Sequence, residues 1–358
     1  MTSPLTSTNP GRERGPRHSR RSLLRQGVAI AITGFTLYVV FPSLARVVAS
    51  WPRLLTLSPL WLLGAFAAEV ASFVCTFALQ RLVLRTPKWF AVATAGLAGN
   101  AVTNIMPGGD AAGAAVQFSM LETAGIDSDT AAAGLAAASL LGVGGLLALP
   151  IFTLPAVLGG AHVSRSLVHA ALLGLGGFSL FVLGGVVVMS TDRPLEAFGR
   201  FVQWLWNKVP GRRRKTTGLG VRLLRQRDSI VSTLGRNWRR AVLSVGGRLG
   251  LDYLCLLGAL RATGSNPRPW LVLLAYSAAG IIAWVPVTPG GLGVVEASLS
   301  GLLVLAGVDA GSAFVATLAY RLASYWFPLF AGGVAYALFR RRYGPPRLGS
   351  PSAAKPSS

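Results

Sequence analysis

The chain has 358 residues, of which 52% are apolar and only 13% charged, and its formal net charge is +22. Soluble globular domains carry about 25% charged residues, so this composition excludes one and points to an all-α polytopic membrane protein. Two cysteines, Cys75 and Cys255, and three scattered histidines, His18, His162 and His169, exclude a disulfide framework and a metal-ligand cluster; no cofactor is expected.

Residues 1–22 read as a disordered basic tail, rich in Pro, Ser and Arg. The charge-free run from Gly27 to Ala45 predicts a first span, too late in the chain and too long for a cleavable leader. A second span is expected at about 59–80, with Glu69 alone inside it, followed by a cytoplasmic loop marked by Arg81, Arg85 and Lys88. Residues 89–106 enter the membrane, stop at Pro107-Gly108-Gly109-Asp110, and leave along 111–122. Each arm is short, so a re-entrant hairpin and two tilted spans are both open. Full spans follow at about 130–158 and 166–190.

Residues 191–240 carry thirteen Lys and Arg. There Leu195, Phe198, Phe201, Val202, Leu205 and Trp206 recur at helical spacing, which predicts an amphipathic helix on the inner membrane surface. Val231, Leu234 and Trp238 suggest a second, weaker one. Spans are expected at about 241–262 and 268–287, a second break at Pro286 to Gly291, a short helix over 292–306, and a last span over 312–339. The tail 343–358 reads as disordered. The chain thus divides into a tail (1–22), a transmembrane domain (23–342) and a second tail, with about seven or eight transmembrane helices and two broken or re-entrant elements.

The breaks belong to an internal repeat. Pro107-Gly108-Gly109 recurs as Pro289-Gly290-Gly291, and Ala124-Gly125-Ile126-Asp127 recurs as Ala306-Gly307-Val308-Asp309, at the same offset. Ala115, Leu121, Ala131 and Ala137 match Ala297, Leu303, Ala313 and Ala319. The first copy spans about 89–190 and the second about 268–340. Counting spans places their starts on opposite sides, an inverted repeat. Broken helices at matching places in two halves of a membrane chain mark a central transport site.

The basic excess at residues 1–26, 191–240 and 340–347 places all three in the cytoplasm. Nucleic-acid binding is not expected, because positive-inside orientation and anionic lipid headgroups account for these patches. Helices starting just after the breaks, near Ala111 and Leu292, would aim free N–H groups at an anion such as a lipid phosphate. Polar residues gather at the same places: Asn100 and Asn104 before the first break, Asp110 after it, Thr288 at the second, and Glu296, Tyr320 and Arg321 beyond it. Asp110 has the position of a helix cap, whereas Glu296 reads as too deep in its helix for that role. Arg321 could contact a phosphate or pair with Glu296. Arg248 and Asp252, four apart, read as an intrahelical ion pair. Gly142, Gly144 and Gly145 permit close helix packing. Asp127-Ser128-Asp129 has the form of a metal motif used by glycosyltransferases, but its place before an Ala-rich helix makes it a cap.

The second break and its surroundings resemble the signature of the lysylphosphatidylglycerol synthase transmembrane family, also called flippase-like or UPF0104. The residues are Pro286-Val287-Thr288-Pro289-Gly290-Gly291-Leu292-Gly293-Val294-Val295-Glu296-Ala297, Gly307, Tyr320-Arg321-Leu322 and Trp326-Phe327-Pro328. The first half is similar in Asn100, Asn104, Pro107-Gly108-Gly109 and Ala124-Gly125, although Gln117 stands where many members carry Arg. The resemblance implies a lipid-handling domain that, in members with a fused synthase, flips an aminoacylated phospholipid. No synthase follows here, so aminoacyl transfer is not expected. The chain is read as a multi-pass protein of the bacterial inner membrane, not an enzyme, that moves an anionic phospholipid or polyprenyl-linked lipid between leaflets. The rivals are a glycosyl- or aminoacyltransferase component and a non-transporting partner of a cytoplasmic synthase. The oligomeric state is left open.

Overall fold

The computed structural model describes residues 57–106, 109–153, 165–191, 219–283 and 288–346. The predicted first span, the amphipathic helix centred on 195–206, Pro107 and Gly108, and both tails lie outside these residues. Every regular element among the described residues is helical, and none is a strand.

Among the described residues ten helices follow in chain order. They are α1 (Pro59–Val83), α2 (Trp89–Ile105), α3 (Gly109–Thr123), α4 (Ser128–Ala148, continued by a 3-10 turn to Thr153), α5 (Arg165–Ser190), α6 (Leu219–Ala262), α7 (Pro269–Ile282), α8 (Val294–Leu305), α9 (Ala310–Arg321) and α10 (Phe327–Tyr343). A 3-10 turn, Pro289–Gly291, precedes α8, and a π turn, Leu322–Trp326, joins α9 to α10.

Among the described residues four segments are long and apolar enough to cross a membrane: Pro59–Val83, Ser128–Thr153, Asn237–Ala262 and Ala310–Tyr343. The apolar parts of α5, α7 and α8 are shorter. Large apolar side chains on these helices stand exposed, among them Leu60, Leu173, Leu183, Leu243 and Phe330. So much exposed apolar surface is an aggregation hazard in water and a lipid-facing surface in a bilayer.

A non-helical residue, Asn237, divides α6 at a kink. The stretch before it carries Val231 and Leu234 of the weak helix anticipated there, and the stretch Asn237–Ala262, which begins with Trp238 just after the kink, is the following span.

Small residues set the packing. α1 and α6 make the most extensive pairing. A β-carbon on Gly258 would lie 3.0 Å from Ala65 Cβ, and one on Gly247 would lie 2.9 Å from Cys75 Sγ. The Ser72 hydroxyl donates to the Arg248 carbonyl at 3.0 Å across the same seam. The glycine run of α4 works as expected: Gly144 abuts Phe181 of α5, and Gly145 abuts Val245 of α6.

The two copies of the repeat fold alike. In the first, α2, the break and α3 form a hairpin whose legs touch through backbone. A β-carbon on Gly113 would lie 2.4 Å from the Gly99 carbonyl oxygen and 2.0 Å from Thr103 Oγ1. The open end is closed by Lys88, whose Nζ donates to the Ala124 carbonyl at 2.8 Å. In the second copy α7 and α8 take the places of α2 and α3. Both copies then turn through a glycine with positive φ, Gly125 or Gly307, into an aspartate N-cap. Asp127 accepts from Thr130 N and Asp309 from Ser312 N, each at 3.1 Å. Asp127 is therefore a cap, and among the described residues no group of three or more acidic, Cys or His residues could hold a metal.

Candidate functional site

The tips of the two hairpins meet. The Tyr325 hydroxyl, on the π turn, donates to the Asn104 carbonyl at the end of α2, 2.9 Å away. Gly290 presses against the same place. Its φ is +57°, and a β-carbon there would lie 2.4 Å from Tyr325 Cε2 and 2.9 Å from the Asn104 oxygen. Glycine is thus required twice over, by backbone conformation and by space.

Around this contact lies a cavity of about 770 Å3. Thr103, Asn104, Gly109 and Asp110 line it from the first break, and Thr288, Gly290 and Gly291 from the second. Tyr320 and Arg321 of α9 and Tyr276 of α7 close one side, Arg248 and Asp252 of α6 another, and Ser139 and Gly142 of α4 a third. Of the residues singled out in the sequence, Asn100 stands one turn back and supports the lining by accepting from Asn104 Nδ2 at 3.2 Å. Pro289 lies within the 3-10 turn, and Glu296 sits behind Arg321.

Glu296 is where the structure corrects the sequence reading most directly. It is a cap after all. Gly290, Gly291 and Gly293 all take positive φ, which delays the helix start from the expected Leu292 to Val294. Glu296 therefore falls in the first turn, and its Oε2 accepts from Gly293 N at 2.5 Å. Its other oxygen, Oε1, accepts from Arg321 Nε at 2.9 Å. Arg321 also donates from Nη2 to the Gly290 carbonyl at 3.0 Å and lies 4.4 Å from the centre of the Tyr325 ring. The arginine thus clamps the turn, the helix start and the π turn together. Thr288 closes the loop by donating from Oγ1 to the Leu292 carbonyl at 2.8 Å.

This changes the electrostatics of the breaks. The positive end of α8 is already met by the Glu296 carboxylate, and the first turn of α3 carries Asp110. Neither helix start is the bare anion receptor that the sequence suggested.

The second correction concerns α6. Arg248 and Asp252 form no ion pair with each other. Asp252 is held from two other helices instead: Tyr276 donates to Oδ2, and Tyr320 donates to Oδ1 at 2.9 Å. The guanidinium of Arg248 reaches along α4, with Nη1 2.8 Å from where a β-carbon of Gly142 would lie. Arg248 is thus a cation on the cavity wall that sequence reasoning did not assign to the site. Its four-residue spacing to Asp252 pointed to a local pair, and only the approach of α7 and α9 redirects the aspartate. Gln117 faces away, its Nε2 donating to Gln80 Oε1 on α1 at 3.0 Å.

Comparison with known proteins gives the chain a family. The sequence profile of the lysylphosphatidylglycerol synthase transmembrane region matches residues 27–332. A UPF0104 membrane protein of Methanothermobacter thermautotrophicus is 33% identical over 89 residues, 25% of each chain. A UPF0104 membrane protein of Pyrococcus horikoshii is 38% identical over 63 residues, 18% of this chain and 19% of that one. A third, from Methanocaldococcus jannaschii, is 36% identical over 64 residues, 18% of this chain and 27% of its own. The chain therefore aligns with only about a quarter of the length of these relatives.

Proposed function

Because the chain belongs to the lysylphosphatidylglycerol synthase transmembrane-region family, we propose that its central cavity takes the headgroup of an anionic lipid as that lipid passes between leaflets. The observation that carries this reading is the cavity itself, about 770 Å3, framed by both Pro-Gly-Gly breaks and carrying the Arg248 guanidinium on its wall. Non-helical backbone at membrane depth is tolerated where it lines a cavity, and broken helices at a repeat interface are where transporters hold their cargo. Arg248 offers a planar, permanently charged fork to a phosphate. Arg321, already engaged by Glu296, Gly290 and Tyr325, positions the second break. The lipid is an anionic phospholipid or a polyprenyl-linked intermediate.

The short helices support re-entrant hairpins. At about 1.5 Å per residue, the 17 residues of α2 and 15 of α3 reach about 25 and 22 Å, less than a hydrocarbon core of about 30 Å. A second cavity, of about 890 Å3, lies between the α1–α2 loop and the Asn237 kink, lined by Arg81, Arg85, Trp89 and Arg240. Its basic lining suits the anionic inner surface and supports a cytoplasmic placement. The matched family is a transmembrane region rather than a catalytic domain, and Asp127 serves as a cap, which favours transport over group transfer.

Reconstitution into liposomes with a panel of labelled lipids tests the reading. Anionic lipid should exchange between leaflets faster than in empty liposomes, and Arg248→Gln, folded and inserted, should slow it several-fold. A folded parental protein that exchanges none of the panel overturns the proposal.

A further inference from the structure

Glu69 has no part in the function described so far. It sits in the middle of α1, 3% exposed, and its Oε2 finds no hydrogen-bond partner. A buried carboxylate oxygen without a donor is costly and rare. α1 packs most extensively on α6, and from α6 the Asp252 carboxyl and the Cys255 thiol both act on the Glu69 carboxyl. Both oxygens of Asp252 are already taken up by the hydroxyls of Tyr276 and Tyr320. Asp252 lines the cavity, while Glu69 stands one layer behind it.

The groups acting on Glu69 can be named element by element. α6 supplies Arg248, Asp252 and Cys255. α7 and α9 supply Tyr276 and Tyr320, which sense the same carboxyls. α2 has no ionisable residue, and α4 has only Asp129, in its first turn. The π turn supplies Tyr325, whose ring lies under Arg321. Two carboxylates and one guanidinium leave the group one negative charge in excess, in an interior where like charges in contact repel strongly. No tyrosine hydroxyl is directed at Glu69, because both are spent on Asp252.

We propose that Glu69 and Asp252 form a proton-binding site on the cavity wall, sharing one proton between them. A single hydrogen satisfies every part of the arrangement. It gives Glu69 Oε2 the bond it lacks and relieves the repulsion, and the nearby Arg248 guanidinium offsets the remaining negative charge without pairing with it. Among the described residues no group of three or more His, Cys, Asp or Glu is placed to hold a metal ion. Asp252 is the member that meets the cavity, so protons enter and leave through it. Arg248 belongs both to this group and to the proposed headgroup contact. An anion that draws off its charge leaves the carboxyls to be neutralised by protons alone, and this couples proton binding to headgroup binding.

The coupling rests on the transport reading; the proton site itself does not. Infrared difference spectroscopy on the purified protein at neutral pH should show the C=O stretch of a protonated carboxyl. The band should shift in D2O and vanish in Glu69→Gln. Asp252→Asn should shift it, which preserves the test should Glu69→Gln misfold. A parental protein without such a band, or a band unchanged in both variants, overturns the site. In liposomes, a pH gradient should change the rate of anionic-lipid exchange, and the response should be lost in Glu69→Gln. Exchange indifferent to the gradient overturns the coupling. Absence of exchange with the band intact removes the transport reading and leaves the proton site standing.

Discussion

Glu296 satisfies a backbone donor with one oxygen and neutralises a buried cation with the other, so its loss should be felt twice. Removing one member of a buried charge pair costs roughly 3–5 kcal/mol. Glu296→Ala should therefore lower the thermal midpoint of the detergent-solubilised protein sharply. Arg321→Lys keeps a cation but not the fork that spans Glu296 and Gly290, and should remain folded with a smaller loss. Equal midpoints for Glu296→Ala and the parental protein would show that the pair carries no stability. Gly290→Ala makes a separate demand, since it forces alanine to a φ of +57° against the Tyr325 ring. Backbone strain of this kind costs about 1–3 kcal/mol before any clash is counted. Gly301, with open space where its β-carbon would go, is the control, and Gly301→Ala should not destabilise. Matching midpoints for the two alanine variants would remove the close approach of the breaks as a source of stability.

The matching helices show how much of the fold the sequence carried. Asp127 was read as a cap and the repeat pairs it with Asp309 at an offset of 182, and both aspartates do cap, each at 3.1 Å. Losing an N-cap side chain costs about 1 kcal/mol. Asp127→Ala and Asp309→Ala should therefore lower stability by similar amounts in thermal unfolding, and Asp127→Ala should leave lipid exchange intact. Loss of a metal-dependent transfer activity in that variant would restore the metal reading. Local signals of this kind, such as caps, glycine turns and charge-free runs, are legible because neighbours in sequence create them. Arg248 and Asp252 were misread for the converse reason. Their local pairing is overruled by Tyr276 and Tyr320, which lie 24 and 68 residues from Asp252. Glu296 was misplaced by a few residues because three positive-φ glycines postpone the helix, and spacing alone does not report dihedral angles.

At the scale of the whole molecule, the hairpins decide the topology. Each broken element returns the chain to the side it came from, whether its legs span or only enter. In the first copy the two legs start and end side by side, with Lys88 reaching Ala124. If hairpins leave sidedness unchanged, the crossings are the predicted span at 27–45, then α1, α4, α5, α6 and the α9–α10 segment, an even number that brings both termini to one side. α6 then separates the two hairpins by one crossing relative to the basic 191–240 segment, so they enter from opposite faces. Their tips meet where Gly290 presses on Asn104, which fits two short hairpins reaching toward the midplane. The arrangement has a direct consequence for labelling. Cysteines introduced at positions 15, 215 and 350 should resist a membrane-impermeant thiol reagent in intact cells, since all three lie in basic or tail segments that the positive-inside rule expects in the cytoplasm. Asn266→Cys, exposed in the loop between α6 and α7, should react from outside. Labelling at 215 without labelling at 266 would reverse the orientation. Labelling at both, or at neither in intact cells with both reactive after permeabilisation, would place α6 on one side only. The inverted relation of the two breaks, and with it the cavity as a passage between leaflets, would then fall.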